Sequence, residues 1–557
     1  MEGPLLVGPM LRHVTETSAT IFVETAAACA VTVLDTSTPT FEVAGHHYAL
    51  VILEGLTPGS TTEYTVLIDG QHCWPPLEST FPPSVIRTLG KPGKLKLLFG
   101  SCRAAAPHHP PWSLSPTDHP VGRGVDSLRA HGLRMLQQRC EEWPHLLLLL
   151  GDQVYADEPS PQTLERLRKR PPDDTTPPSL VSGFEEYTWL YQESWQSEVE
   201  RWVFSVLPSA MIFDDHDVID DWNISASWVV DIRKEPWWED HILGALMSYW
   251  IYQHLGNLSP EEIRAEGILE KLHAGGGQEF LRDWARESER FAPVEGGYRF
   301  SFARHLGSTR LVVIDCRNGR NLDSERNMIG AEEWAWVEGQ CRLQTDHLLL
   351  GTSLPVMVPG GLHGLQQWNA ALCDGRWGRL LAGGSEWLRR TLDLEDWPAF
   401  EASLRRLLTM IDEIRTGPEA PATLSVLSGD IHFSFVAKAE FDGVAPRGWS
   451  ADSREGASPS RVNQIVSSPI RNALARRDRR VMRFAISRIG RRIGGLMTRS
   501  IGAGRQPASW TITHGPEFAN EMGLLTIDGR RMHLAIERAR LDETQAAVLE
   551  NVIDCDL

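Results

Sequence analysis

Hydrophobic and polar positions alternate over short stretches in the first 90 residues of the chain, as in residues 19–24 and 48–53. Turn residues separate these stretches, and the sequence GLTPG at residues 55–59 leads into the β-prone run EYTVL at residues 63–67. Short alternating runs between turns predict a small all-β domain. Two prolines at residues 82–83 and the glycines that follow mark its end, so we expect one β-sandwich over residues 1–90.

After residue 90 the pattern changes to continuous apolar runs separated by longer stretches of helical periodicity. The runs lie at residues 95–99, 145–150, 210–213, 310–314, 347–350 and 424–427, and the helical stretches include residues 184–206, 240–254 and 332–343. Strands that are apolar throughout are typical of parallel sheets covered by helices, so residues 91–557 are predicted to form one α/β domain. Residues 159–178 are rich in proline and charge and are predicted to be a surface loop or lid, within an insertion from about 159 to 300.

Composition limits the classes of protein that fit this pattern. The chain has 557 residues, a formal net charge of −18 and eight cysteines without paired spacing. An acidic balance argues against a basic nucleic-acid-binding surface, so no sequence-specific nucleic-acid partner is expected. The N-terminus lacks the pattern of an export signal, and the longest aliphatic run is five residues, so the sequence predicts a cytoplasmic protein with reduced thiols.

Side chains that bind metal ions follow four of the apolar runs. They are Cys102 after the first run, Asp152 and Tyr155 after the second, Asp215 and His216 after the third, and Asp430 and His432 after the last. The carboxyl ends of parallel strands gather at one edge of an α/β sheet, so these side chains are expected to lie together.

The mixture of side chains indicates two kinds of metal ion. Carboxylates suit hard cations such as calcium, whereas a thiolate, a phenolate and an imidazole suit a transition ion. Two metals roughly 3.5–4 Å apart can hold both the attacking and the leaving oxygen of a displacement at phosphorus. Any one of these side chains alone is more often an inert buried thiol, a core tyrosine or part of a charged turn, but four strand ends of the same kind indicate a metal centre.

The order of these motifs resembles that of the calcineurin-like metallophosphoesterases, which include the purple acid phosphatases. Ser-Cys at residues 101–102, Asp-Asp-His-Asp at 214–217 and Ser-Gly-Asp-Ile-His at 428–432 resemble more specifically the PhoD-like alkaline phosphatases. The segment at residues 314–320 and the IGAE sequence at 329–332 also resemble that family. The resemblance spans about residues 95–470 and implies a four-layer αββα sandwich, preceded by a small fibronectin III-like all-β domain.

The resemblance also implies the metal ligands. Asp152 would be the carboxylate shared by two metal sites. Cys102, Tyr155 and His432 would hold an iron-like ion, expected to be Fe³⁺. Asp215 and Asp430 would hold the second ion, expected to be Ca²⁺, with Mn, Mg or Zn as alternatives. The residue that completes the second site is left open among Asp220, Asp221 and Asn223.

Three further residues have implied roles in catalysis. His216 would protonate the leaving oxygen or stabilise the transition state. Arg103 and Arg317 are expected either to hold the phosphate, because a guanidinium matches its oxygens, or to be structural ion-pair partners. The chain departs from the family in lacking a twin-arginine export signal and, at residues 362–371, the Trp-Asp-Gly-Tyr sequence of many relatives.

The function implied is hydrolysis of a small phosphate ester by a metal-activated water, as in an alkaline phosphatase. One alternative is a phosphodiesterase, similar to a phospholipase D, that acts on lipid head groups or nucleic acid. A second alternative is a non-catalytic binding protein with a structural metal site. The complete ligand set argues against the second alternative.

The segment at residues 471–505 differs from the rest of this acidic chain. It contains eleven arginines, one aspartate and no lysine, and its apolar residues recur at roughly helical spacing. The pattern predicts a basic amphipathic helical segment, which can lie peripherally on an anionic membrane. The alternative is a covering helix whose arginines pair with the protein's own carboxylates.

Overall fold

The computed structural model describes residues 3–90, 93–171, 175–295, 298–322, 326–441 and 459–557, with residues 291–295 described by their backbone alone. Residues 172–174 of the predicted surface loop or lid lie outside the described residues. No helix in the described ranges combines the length and the apolar character needed to cross a membrane.

The N-terminal part of the chain forms the small all-β domain that the sequence predicts. Its strands are β1 (Leu5–Val14), β2 (Ser18–Thr25), β3 (Ala30–Val33), β4 (Thr36–Pro39), β5 (Phe41–Val43), β6 (His46–Glu54), β7 (Thr61–Glu63), β8 (Val66–Ile68), β9 (Gln71–Trp74) and β10 (Val85–Arg87). Within the described residues they pair as β1-β2-β6-β5, β4-β3-β8-β9 and β10-β7. The predicted strand at residues 63–67 is divided between β7 and β8 at Tyr64, whose buried hydroxyl donates to the Ser205 carbonyl at 2.7 Å.

The remaining strands are β11 (Leu95–Gly100), β12 (Leu146–Leu150), β13 (Ser209–Ile212), β14 (Phe302–Leu306), β15 (Thr309–Ile314), β16 (His347–Thr352), β17 (Thr423–Ser428), β18 (Ser434–Phe441), β19 (Arg461–Val466), β20 (Ala508–Glu517), β21 (Glu521–Asp528), β22 (Arg531–Leu541) and β23 (Ala547–Asp556). In the described part of the chain they form two sheets, β13-β12-β11-β21-β22-β23 and β14-β15-β16-β17-β19-β18-β20. All six predicted apolar runs are strands with parallel neighbours.

The helices are α1 (Ser127–Met135), α2 (Pro161–Leu167), α3 (Phe184–Trp195), α4 (Glu198–Val206), α5 (Ala226–Ile232), α6 (Trp238–Tyr249), α7 (Pro260–Glu266), α8 (Ile268–His273), α9 (Gly277–Glu295), α10 (Ala331–Cys341), α11 (Gly360–Cys373), α12 (Arg379–Thr391), α13 (Glu401–Thr416), α14 (Arg476–Ile486) and α15 (Arg488–Ser500). The predicted helical stretch 184–206 is divided into α3 and α4, and stretch 240–254 ends in a π-helical turn at Trp250–His254.

Alternate residues of the second sheet face different layers of the molecule. Leu311 and Val313 of β15 belong to the core that also contains Leu97 and Leu148 of the first sheet. Val312, between them, packs instead with the buried side chains of α10 and α13. A strand that is apolar on both faces therefore has a sheet on one side and helices on the other, which confirms the predicted four-layer sandwich.

The β-domain packs directly against the α/β domain that follows it. Arg12 of β1 is fully buried and donates to the carbonyls of Tyr252 and Gln253 at 2.7 and 2.6 Å. Both carbonyls lie in the π-helical turn, where the wider helix leaves acceptors free for such a partner. Phe22 and Tyr48 belong to the same core as strands β11 and β12, so the two domains share one hydrophobic interior.

Candidate metal centre

The carboxyl ends of four strands meet where the two sheets face each other. Three of these strands, β11, β12 and β13, come from the first sheet, and β17 comes from the second. Residues that follow three of these strands, β11, β12 and β17, adopt left-handed backbone conformations, with φ of 58° at Cys102, 49° at Asp152, 65° at Asp430 and 54° at His432. Non-glycine residues rarely adopt this conformation, and strained residues of this kind cluster at functional sites.

Glycines allow these turns to approach one another closely. Gly151, which precedes Asp152, has φ of 108°, and a Cβ atom there would lie 2.8 Å from the Cβ of Asp214. A Cβ at Gly429, before Asp430, would lie 1.9 Å from the Ser101 hydroxyl. A larger residue at either position would push the strand ends apart.

The first set of potential ligands is the cysteine group, which consists of Cys102, Asp152 and His432. One ligand atom of each lies within 4.8 Å of the others. Tyr155 joins this group because its hydroxyl donates to Asp152 Oδ2 at 3.4 Å. Asn472 Nδ2 in turn donates to the Tyr155 hydroxyl at 3.2 Å. The structure therefore brings together all four residues predicted for the iron-like site.

Two further sets lie next to the cysteine group. The histidine group consists of Asp152, Asp215 and His216, and the aspartate group consists of Asp214, Asp215 and Asp430. Asp152 is shared by the first two groups, and Asp215 is shared by the last two. The sequence analysis did not predict Asp214 as a ligand, although Asp214 directly precedes the predicted ligand Asp215 at the end of β13.

The buried carboxylates have unused acceptor capacity that fits bound cations. Asp152 Oδ1 and Asp214 Oδ2 are buried and have no hydrogen-bond partner among the described residues. Burial, and then neighbouring carboxylates, raises the pKa of Asp152 and Asp430 well above the ordinary value. Burial also raises the pKa of the Cys102 thiol well above its ordinary value. Positive charge at these atoms would remove the cost of ionising them, so the donor set fits metal ions.

His216 lies over the ring of Tyr155, with 4.7 Å between the ring centroids. Its Nδ1 is 3.0 Å from both oxygens of Asp157, which holds the ring in place. Burial acts to lower the pKa of His216, but Asp157 and Asp215 outweigh it and raise the pKa well above the ordinary value. Asp157 was not identified from the sequence.

The two predicted arginines make contacts typical of structural ion pairs. Arg317 is fully buried, forms an ion pair with Asp214, and lies 3.1 Å from Asp215 and 2.5 Å from Glu395. The positive charge of its guanidinium thus compensates the carboxylates of Asp214 and Asp215. The structure favours the ion-pair alternative over the phosphate-binding one for this residue.

Arg103 forms a separate buried cluster with Asp126 and Glu200, which we call the Arg103 cluster. Its Nη2 lies 2.9 Å from Asp126 and 3.3 Å from Glu200, and Nη1 donates to the Ser194 carbonyl at 2.7 Å. The side chain is thus directed away from the neighbouring Cys102 thiol. Its contacts, too, favour the structural alternative.

Asp217 holds the turns after β12 and β13 in position through hydrogen bonds to their backbone. It was not identified from the sequence. Its carboxylate accepts from the backbone N–H groups of Gln153, Val154 and Asp214 at 3.0 to 3.3 Å. Gln253, in the π-helical turn, donates to the same carboxylate at 3.0 Å. Because Arg12 binds the carbonyl of Gln253, the β-domain is linked through this chain of contacts to the metal centre.

The three residues left open for the second site have different contacts. The Asp220 carboxylate lies 3.9 Å from His216 Nε2, and the Asn223 amide donates to the Arg317 carbonyl. The backbone N–H of Asp221 donates to Asp215 Oδ2 at 3.2 Å, and its Oδ1 has no hydrogen-bond partner within the described ranges. Of the three residues, Asp221 combines a hydrogen bond to Asp215 with a buried Oδ1 atom that has no partner among the described residues, so it fits the open ligand position best.

Comparison with known proteins identifies the family. A model of the PhoD-like phosphatases matches residues 128–480, which is more than half of the chain. This chain belongs to the PhoD-like phosphatase family. A model of a domain of unknown function, DUF7800, matches residues 2–86. No curated protein matches the sequence.

Two solved structures are similar to this one. A structure described as PhoD has a TM-score of 0.57 and 12% identity, and the match covers 99% of this chain and 90% of that one. The purple acid phosphatase PPD1 from yellow lupin (Lupinus luteus) seeds has a TM-score of 0.47 and 11% identity, with 95% and 71% of the chains covered. The family model confirms the resemblance, and the similarity to PhoD confirms the fold. The family supports a metallophosphoesterase, that is, a hydrolase of phosphoric esters.

Proposed function

We propose that this protein hydrolyses phosphate esters with two metal ions held at the four strand ends. The observation that carries the proposal is the sharing of ligands: Asp152 joins the cysteine group to the histidine group, and Asp215 joins the histidine group to the aspartate group. Ligands shared in this way would hold two cations close together, an arrangement that can stabilise both the attacking and the leaving oxygen of a displacement at phosphorus.

The donor chemistry assigns a different ion to each end of the centre. The thiolate of Cys102, the phenolate of Tyr155 and the imidazole of His432 suit a transition ion, which we propose is Fe³⁺. The carboxylates of Asp214 and Asp430 suit a hard cation, which we propose is Ca²⁺. When bound, the metals supply positive charge against the charge that develops on the phosphate, and they lower the pKa of the attacking water.

The protein's own side chains supply positioning and a proton. Asp157 binds Nδ1 of His216, which leaves Nε2 to donate a proton to the leaving oxygen, so we assign His216 to proton transfer and not to the metal ligands. Arg123 is a partly exposed residue whose guanidinium is linked to the cysteine group by hydrogen bonds, since its Nη1 donates to Asn472 at 2.7 Å and Asn472 donates to Tyr155. Its Nη2 lies 3.3 Å from the exposed Glu158, a solvent-facing ion pair that a phosphate can displace. We assign to Arg123 the contact with the phosphate oxygens that Arg103 and Arg317 are not free to make.

Elemental analysis coupled to a phosphatase assay tests the proposal on the wild type, Cys102→Ser and Cys341→Ser. Cys341 is the matched control because it is also buried, but it is the last residue of α10 and packs in the separate core between the second sheet and its helices. We expect iron and calcium in the wild type and in Cys341→Ser, and loss of iron together with activity in Cys102→Ser. Unchanged iron and turnover in Cys102→Ser would contradict the assignment of the thiolate.

A phosphodiesterase is the second candidate, and one observation favours it. Arg103 and Arg317 are both paired with carboxylates and are not free to neutralise the dianion of a monoester, which leaves Arg123 as the one arginine that we assign to the phosphate. A diester carries one negative charge and needs less compensation. Turnover of p-nitrophenyl phosphate and bis(p-nitrophenyl) phosphate at equal metal content would separate the two. A protein that is stabilised by metal but turns over neither ester would instead be a binding protein.

A further inference from the structure

Helices α14 and α15 form a basic hairpin on the surface of an acidic protein. We call residues 476–500 the arginine hairpin, because nine of these 25 residues are arginine and one is aspartate. The whole chain has a formal net charge of −18, so this concentration of positive charge is local. The sequence predicts a helical segment here, and the structure contains two helices joined at Ser487.

The inner face of the hairpin is packed tightly onto the body of the protein. A Cβ atom at Gly494 would lie 2.5 Å from the carbonyl oxygen of Gly360, and one at Gly364 would lie 2.4 Å from the Cα of Gly494. Helices α11 and α15 therefore touch along their backbones. Met482 and Ile486 of α14 pack against the cluster around Phe433. These contacts determine which face of the hairpin points to solvent.

The outer face carries large apolar side chains in contact with water. They are Val481, Phe484, Ile489, Ile493 and Leu496, which are 56%, 54%, 61%, 41% and 62% exposed. At 100° per residue, the last three form one stripe along α15, and Arg488, Arg492 and Arg499 form the adjacent stripe. An apolar stripe bordered by arginines thus runs along the solvent side of the helix.

Carboxylates in the described ranges of the chain account for few of these arginines. Among the residues that the structure describes, Arg476 is the one arginine of the hairpin within 4.0 Å of a carboxylate, that of the exposed Asp118. Arg483 lies over the ring of Phe518, 5.2 Å from its centroid. The described contacts therefore do not support the alternative in which these arginines pair with the protein's own carboxylates.

We infer that the arginine hairpin binds the surface of an anionic lipid bilayer. Phe484, Ile489 and Leu496 would enter the boundary between head groups and acyl chains, and the bordering guanidinium groups would contact lipid phosphates. The charge of the hairpin is complementary to such a surface, whereas the charge of the whole protein is not. A nucleic acid would satisfy the arginines but would leave the apolar stripe in water, so it fits the observations less well.

The hairpin is also connected to the metal centre. Asn472 donates to the Tyr155 hydroxyl, and α14 begins four residues later at Arg476. A bilayer bound at the hairpin would therefore lie near the side of the metal centre that contains Tyr155. The membrane inference itself does not depend on which ester the protein hydrolyses.

Vesicle flotation of the full-length protein tests the inference. We expect the protein to float with vesicles of phosphatidylglycerol and phosphatidylcholine but not with phosphatidylcholine alone, and to dissociate as the salt concentration is raised. Arg488→Gln and Arg492→Gln are each expected to lower the partition coefficient about fivefold. The double variant Phe484→Ser/Leu496→Ser is expected to lower it about tenfold or more, because the buried apolar area is lost.

Matched controls come from exposed residues outside the hairpin. Leu77→Ser removes a leucine that is 88% exposed, and Arg531→Gln removes an exposed arginine, and both are expected to float like the wild type. Equal flotation with both kinds of vesicle, or no flotation at all, would overturn the inference. Heparin-column retention that falls with the arginine variants while flotation is unaffected by the apolar variants would also overturn it, because it would indicate a soluble polyanion.

Discussion

Cys102 and Arg103 are neighbours in the chain, but their side chains belong to two different buried acidic clusters, the metal centre and the Arg103 cluster. On one side the metal centre contains Asp152 and Asp430, whose pKa is raised well above the ordinary value by burial and by other carboxylates. On the other side Asp126 is equally buried, yet its pKa is lowered to about 2, because Arg103 and Arg471 outweigh the effect of burial. The pKa of Glu200 in the same cluster is raised, because burial and the charge of Asp126 outweigh Arg103 and Arg129.

Both clusters have the composition of a metal site, since His108, Asp126 and Glu200 also lie close enough to share an ion. What differs is the source of the positive charge. In the Arg103 cluster the protein supplies it, with Arg103 and Arg129 both within 3.4 Å of Glu200. In the metal centre Asp152 Oδ1 has no partner in the described part of the chain. A group of carboxylates therefore indicates a metal site only when the protein itself leaves their charge uncompensated.

The largest expected effect is on activity, from Asp152→Asn. Asp152 is shared by two ligand groups, so its loss should remove metal from both sites and lower kcat/KM by ~10³-fold or more. The folded protein should persist without metal, because the substitution also removes a buried carboxylate that is costly to ionise. Elemental analysis, steady-state kinetics and circular dichroism measure the three quantities. Full metal occupancy in the variant would contradict the shared role.

The next largest effect is on stability, from Arg103→Met. This substitution leaves Asp126 and Glu200 buried without their main counter-charge, so we expect the free energy of unfolding to fall by about 3–5 kcal/mol. Metal content and turnover per folded molecule should not change, because Arg103 points away from the metals. Urea unfolding of the metal-loaded protein measures the loss. Wild-type stability together with a raised KM would instead indicate that Arg103 binds substrate.

Removal of the metals by a chelator should lower the stability of the folded protein through the metal centre and not through the Arg103 cluster. A ligand present at 100 times its Kd stabilises the folded state by about 2.7 kcal/mol, so chelation should lower the free energy of unfolding by about that amount, and Tm should fall with it. Asp152→Asn should show no such fall, whereas Glu200→Gln, the matched change in the Arg103 cluster, should show the same fall as the wild type. Differential scanning calorimetry with and without chelator makes the comparison.

The smallest expected effect is an acid-dependent loss of stability from Asp126. Because its pKa in the folded state is lowered to about 2, its ionised form stabilises the fold above the ordinary carboxyl pKa. That contribution, about 2 kcal/mol, should disappear as the pH falls from about 4 towards 2. The slope of unfolding free energy against pH in this range should therefore be shallower for Asp126→Asn. Identical slopes would show that Asp126 is not stabilised by its arginines.

The sequence predicted the parallel part of the fold better than the antiparallel part. Each of the six apolar runs is a strand with a parallel neighbour, because such strands are buried on both faces and contain few polar residues. The strands from β18 to the C-terminus were not predicted. β19 is parallel to β17, but polar residues Asn463 and Gln464 interrupt its apolar sequence. In β22 buried residues alternate with more exposed ones, so a search for continuous apolar runs passes over both strands.

For the candidate metal centre, the sequence alone determined which side chains follow which strands, and together with the family resemblance this was enough to predict that Cys102, Asp152, Tyr155 and His432 lie together. Residue type and position at a strand end are local properties that the chain order carries. Tertiary structure alone decided the roles of Asp214, Asp217 and Arg103. Their roles depend on which charges and backbone groups lie beside them, and those neighbours come from distant parts of the chain, such as Arg317 for Asp214 and Glu200 for Arg103.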